Sequence, residues 1–104
     1  MRSIELSAQA EIRLNEIIDY YLANQSVERT FKVIDSFNEA FQKIAISPFQ
    51  QRKFYSSEFI NLDIRYYLHY RAFHIYYIVS NDYIKIVEIF YLSQDKEKIK
   101  LDLS

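Results

Sequence analysis

The chain has 104 residues, half of them apolar, with no cysteine, no glycine and a formal net charge of −1. That length suits a single domain over residues 1–104. The composition excludes disorder, disulfide scaffolds, thiolate metal sites, cysteine nucleophiles and the glycine-built phosphate loops, and the near-neutral charge argues against a protein whose main work is gripping nucleic acid.

The N-terminus, Met1 to Leu6, has no long apolar run, so it reads as neither a signal peptide nor a membrane span. A secreted domain of this size would often need disulfides, and their absence favours the cytoplasm. Arg2 to Leu6 alternates as a short strand. Ser7 then caps a helix from about Ala8 to Ala23, with Ala10, Leu14, Ile17, Ile18, Tyr21 and Leu22 on its apolar stripe. Asn24-Gln25-Ser26 breaks the period, and Ser26 caps a second helix from about Val27 to Ala45. Its stripe is Phe31, Ile34, Phe37, Phe41, Ile44 and Ala45. Ser47-Pro48 ends it, because a residue before proline disfavours helical dihedrals. The short link makes the two helices an antiparallel hairpin.

A loop from Gln50 to Ser56 leads into a weak strand. Three strand-like runs follow, Leu62 to Tyr70, Phe73 to Val79 and Tyr83 to Tyr91, rich in the β-branched and aromatic residues that strands prefer. Arg71-Ala72 and Asn81-Asp82 read as two-residue turns. Ser93 caps a short final helix, Gln94 to about Lys100. The fold class is thus α+β in the order β-α-α-β-β-β. An N-terminal strand and a two-helix hairpin pack on one face of a mainly antiparallel sheet.

Register decides which residues share a face. With Tyr70 opposite Phe73, the apolar face carries Ile64, Tyr66, Leu68, Ile75, Tyr77 and Val79, and the helices cover it. The open face then pairs His69 with His74, Tyr67 with Tyr76 and Arg65 with Ile78. Through Asn81-Asp82 it also gains Lys85, Val87, Ile89 and Tyr91. The same register sets Glu88 on the apolar face opposite Ile75, a conflict that a bulge or the end of the helices would relieve. Eighteen Tyr and Phe residues are more than so small a core hides.

These segments resemble the RelE/ParE superfamily of toxins from type II toxin–antitoxin pairs. Ile12 to Tyr20 resembles that family's first-helix pattern, and Pro48 with Arg52 its proline–basic segment. Ile64-Arg65 resembles the opening of its central hairpin, and Phe73-His74-Ile75-Tyr76-Tyr77 its aromatic-x-Ile-x-Tyr strand. Ile84 to Tyr91 with Ser93-Gln94-Asp95 resembles its last strand and exit. The usual basic cluster is thinned: His74, Tyr91 and Glu88 stand where many members have Arg, His and Arg.

The resemblance implies a cytoplasmic, membrane-free toxin without cofactor or metal, held in a hetero-oligomer by a cognate antitoxin. It implies either of two activities, or an inactive homologue that still binds its antitoxin. One is a ParE-like poison that binds DNA gyrase. The other is a RelE-like, ribosome-dependent, metal-independent mRNA endonuclease. For the nuclease, His69 and His74 would share the proton transfers. Arg71 and Arg65 would stabilise the phosphorane, and Tyr91 would orient or donate. Arg52 and Lys53 are the candidate substrate contacts. Each has a plainer reading: rim histidines, an Arg65 paired with Asp63 or Glu58, and solvated loop charges. Two histidines without a third ligand make a poor metal site. Lys96, Lys98 and Lys100 read as a solvated helix face.

Overall fold

The computed structural model of the protein describes residues 1–69, 72–91 and 101. The final helix expected from Gln94 lies outside them. Strand β1 (Ser3–Leu6) leads into helix α1 (Ala8–Asn24), and helix α2 (Val27–Ile46) follows after two residues. The Ser7 hydroxyl accepts the Ala10 N–H at 3.0 Å, and the Ser26 hydroxyl accepts the Arg29 N–H at 3.1 Å. Both caps satisfy first-turn donors that the helix itself leaves unpaired. After α2, Pro48–Gln50 forms a 3₁₀ turn. Strands β2 (Arg52–Lys53), β3 (Ile64–His69), β4 (Phe73–Val79) and β5 (Tyr83–Tyr91) then complete a five-stranded sheet in the order β1-β5-β4-β3-β2. All neighbours are antiparallel except β1, which runs parallel to β5.

The helices bury one face of this sheet. Ala10, Ile17, Phe37, Ala40, Phe41 and Ile44 join Phe73, Ile75, Tyr77, Ile84, Ile86 and Ile89 in the main core. The α2 stripe runs through Thr30, Val33, Phe37, Ala40, Phe41 and Ile44, so Phe31 turns outward and stays 63% exposed, contrary to expectation. Thr30 is buried in its place, its hydroxyl donating to the Ser26 carbonyl at 2.9 Å.

The second face is not open. Ile64, Tyr76, Val87 and Phe90 form a second buried cluster with Leu101, and Phe54, Phe59, Tyr66 and Ile78 pack against it. The expected bare polar-aromatic face is therefore corrected. The 54–59 loop segment and Leu101 cover much of it.

Register explains most of the remaining differences. In the β4–β5 hairpin, the Ser80 N–H donates to the Tyr83 carbonyl at 2.8 Å, closing the two-residue turn Asn81-Asp82 as expected. The β3–β4 hairpin pairs His69 with Phe73, which leaves three residues between the strands. One extra residue in a hairpin connection moves the register by one and turns the whole strand over. Arg65, Tyr67 and His69 therefore share the helix-covered side with Tyr77, Ile75 and Phe73, while Tyr66 and Leu68 stand opposite Tyr76 and His74.

A bulge in β5 supplies the other change. Tyr77 pairs with Ile86 but Tyr76 pairs with Glu88, so Val87 is the extra residue. Beyond it, Ile89 and Tyr91 turn toward Ile75 and Phe73 on the helix side, not to the second face.

Candidate functional site

Every expected site residue except Arg71 lies among the described residues, and the two histidines are apart. His69 ends β3 under α2 and is 6% exposed. Its Nε2 lies 3.0 Å from the Ser36 hydroxyl, and its ring lies 4.8 Å from the Phe37 ring. The Ser36 hydroxyl donates to the Val33 carbonyl at 2.6 Å. A hydroxyl has one proton to give, so Nε2 is the donor toward Ser36, and in this arrangement it is not a base for that hydroxyl. Burial lowers the His69 pKa, and Lys43 lowers it further, against an opposing pull from Glu39. A hollow of about 140 Å³ lined by Ser36, Glu39, Lys43, Tyr67 and His69 marks this seam.

His74 is on the other side of the sheet and 3% exposed. It lies 4.9 Å from the Tyr66 ring and 6.2 Å from that of Tyr76. Tyr66 and Tyr76 stack at 5.3 Å, and Phe54 and Phe90 meet the Tyr76 ring edgewise at 5.2 and 5.6 Å. Burial pushes the Tyr76 pKa up to about 12. These rings form a continuous aromatic lattice in which edge-to-face and offset contacts add to the apolar burial. The juxtaposed pair of imidazoles expected on one face is thus replaced by one imidazole per face, because of the three-residue hairpin connection.

Arg65 is held by its neighbours. Its Nε is 3.1 Å from Asp63 Oδ1, and Nη2 donates to Asp63 Oδ2 at 3.3 Å. Nη1 donates to the carbonyls of Phe49 and Gln51 at 2.7 and 3.0 Å, with the guanidinium 5.4 Å from the Phe49 ring centre. It ties the segment after α2 to the sheet. The Tyr77 hydroxyl does the same, donating to the Pro48 carbonyl at 2.6 Å, and burial raises its pKa.

Tyr91 packs on Phe73 at 4.8 Å, and burial raises its pKa, helped by Tyr21 and Tyr20. Arg52 and Lys53 are exposed on the edge strand β2. Arg71 lies outside the described residues, as do Lys96, Lys98 and Lys100.

Glu88, 2% exposed, accepts from Arg13 Nε at 3.0 Å and from the Ile89 N–H at 2.9 Å. That bond raises the Arg13 pKa. The pair ties α1 to the β5 bulge. A carboxylate inside an apolar strand was its sequence signal, and the partner had none. Ser36 was missed too, although a serine beside the buried stripe of an amphipathic helix hinted at a satisfied core group.

A further feature had no sequence signal. A groove of about 370 Å³ beside β2 is lined mainly by Lys53, Phe54, Tyr55, Phe59, Ile60 and Leu62. Among the described residues no group of three His, Cys, Asp or Glu side chains is placed to hold a metal ion, and no helix is long and apolar enough to cross a membrane.

Comparison with known proteins gives this geometry a family. No curated protein matches the chain. Among solved structures it is similar to a chain of the "Chromosomal ParDE TA system from P. aeruginosa". The TM-score is 0.71 at 20% identity, over 89% of this chain and 98% of that one. At such identity the likeness speaks for the fold. Residues 4–96 match the family model described as "ParE toxin of type II toxin-antitoxin system, parDE". The chain belongs to this ParE family of type II toxins, within the RelE/ParE superfamily.

Proposed function

We propose that this toxin arrests growth by binding DNA gyrase and stalling it, that it works in the cytoplasm, and that a cognate antitoxin neutralises it in a hetero-oligomer. The observation that supports a binding poison over a nuclease is the separation of the imidazoles. Metal-free RNA cleavage by the substrate's own 2′-hydroxyl needs a base, an acid and positive charge around a single phosphate. Here His69 and His74 are buried on opposite sides of the sheet, and Arg65 spends its charge on Asp63 and two carbonyls. What the molecule offers to a partner is apolar and aromatic surface, including Tyr20, Phe31, Tyr55 and Ile60, each more than half exposed.

The test is to add the purified chain to gyrase and to translating ribosomes. The reading expects loss of supercoiling with intact transcripts, and an unchanged effect in a folded His74→Ala variant. Cleavage of transcripts within codons, abolished by His74→Ala and with gyrase unaffected, would overturn it. A small antitoxin reading frame directly beside this one, whose co-expression relieves growth arrest, would support the pairing.

A further inference from the structure

We propose that the hollow between α2 and β3 is a binding site for a tetrahedral oxyanion that still carries a proton, a hydrogen phosphate or a terminal phosphomonoester. The inference goes beyond the proposed gyrase activity and does not depend on it.

The hollow is built by local periodicity. Its α2 side is one stripe, Ser36, Glu39, Ala40 and Lys43, at the i, i+3, i+4 and i+7 spacing of a single helix face. Its sheet side includes Tyr67 and His69, which alternate onto the helix-covered side of β3. Ser36, Ala40 and His69 are buried, Tyr67 is half-buried, and Glu39 and Lys43 are exposed. The space is about 140 Å³, far more than the roughly 10–15 Å³ that one water needs, so a five-atom oxyanion fits.

Two observations point to a ligand. The first is a set of polar groups without protein partners. Glu39 and Lys43 stand at i, i+4 in the order that favours an ion pair along a helix. Among the described residues they form none, with each other or with a third group, and the Tyr67 hydroxyl makes no hydrogen bond. An ammonium, a phenol and a carboxylate thus line one small space unengaged. The second is that their charges reach the buried imidazole. Burial and then Lys43 hold the His69 pKa down, and Glu39 opposes them.

Donor and acceptor roles select the occupant. Lys43 and Tyr67 offer protons, so they call for anionic oxygens. Ser36 adds no donor, because its proton goes to the Val33 carbonyl. Glu39 only accepts, so it calls for a proton on the same ligand. Hydrogen phosphate has both. A phosphomonoester, with its second pKa near about 6, keeps that proton in part near neutral pH. Sulfate and phosphodiesters have none to give, and their oxygens meet the Glu39 carboxylate as like charge.

The experiment titrates the full chain with sodium phosphate at constant ionic strength and follows the ring C–H signals of both histidines by NMR, assigned with His69→Gln. Saturable movement of the His69 signals is expected, with half-saturation at or below about 5 mM. The His74 signals, from the other side of the sheet, should stay in place. Sulfate and dimethyl phosphate should bind at least about tenfold more weakly. Lys43→Met should abolish phosphate binding. Glu39→Gln, whose amide also donates, should admit sulfate. Both positions are exposed, so both variants should fold, as circular dichroism checks. Methyl phosphate separates the two sources: binding as tight as that of inorganic phosphate assigns a terminal phosphomonoester, and binding of inorganic phosphate alone assigns the free ion. No saturable movement, equal binding of sulfate, joint movement of both histidines, or binding untouched by Lys43→Met overturns the assignment. So does tighter binding of glycine, whose two charges would bridge Glu39 and Lys43 without any oxyanion.

Discussion

Beneath the helices, Phe73, Ile75 and Tyr77 share one buried cluster with Phe37, Phe41 and Ile44. Across the same sheet, Tyr76, Val87 and Phe90 are covered by Phe54, Phe59 and Leu101. One cover is two full helices, fixed by their own caps and periodicity. Among the described residues, the other is a loop segment and Leu101. Each side buries a histidine, but by different means: His69 by a hydroxyl on α2, His74 within an aromatic lattice. A strand buried on both faces keeps its polar side chains only where each finds a local partner. The difference teaches that, among the described residues, the cover of the second side is less regular though its core is as buried, and that change in that cover should be tolerated more readily than change in the helices.

The sharpest test of that contrast is truncation on either side. Phe37→Ala should cost about 3–5 kcal/mol in urea unfolding, because a fully buried ring leaves a cavity under α2. Phe54→Ala, at a half-buried ring, should cost roughly 1–2 kcal/mol. Equal losses would break the comparison. Next comes the ion pair that pins α1 to the bulge. Glu88→Ala takes away the acceptor of Arg13 Nε and of the Ile89 N–H, and should cost about 2–3 kcal/mol, below the full figure for a buried pair because Arg13 is partly exposed and keeps Glu16 at 3.0 Å.

Smaller effects separate the faces by pH. The His69 pKa is lowered in the fold, so the unfolded chain binds more protons just below pH 6.5. Its contribution is complete above 6.5 and is lost as pH falls through the lowered value. Denaturation midpoints should decline in that range, and His69→Gln should flatten the decline. Tyr76 works at the other end. Its pKa is raised from 10.0 to about 12, so stability is full below 10 and lost as pH rises through 12, a loss that Tyr76→Phe should reduce. Smallest is Ser36→Ala, which leaves His69 without this hydroxyl and should cost about 1–2 kcal/mol.

Both helices, both caps, the β4–β5 turn and the order of the elements were legible in the chain, because each depends on neighbours within a few residues. Ser7 and Ser26 sit directly before their helices, and Asn81-Asp82 are turn formers wherever they occur. The face of β4 was legible as well: Phe73, Ile75 and Tyr77 point toward the helices as their alternation suggested. The candidate site was not. Its geometry hung on whether two or three residues join β3 to β4, and Arg71-Ala72 fits either. A single residue there moved His69, Tyr67 and Arg65 from one side of the sheet to the other. The bulge at Val87 did the same for Ile89 and Tyr91.

Local sequence therefore determined which segments are helix and strand and in what order they meet, since dihedral preference, capping and hydrophobic period act over short range. Tertiary structure alone decided which way β3 faces, which arginine meets Glu88 and what closes the second side. Strand pairing has a period of two, so neither side chain pattern nor propensity distinguishes a register from its neighbour when both faces are buried. Only the sum of packing across the sheet does.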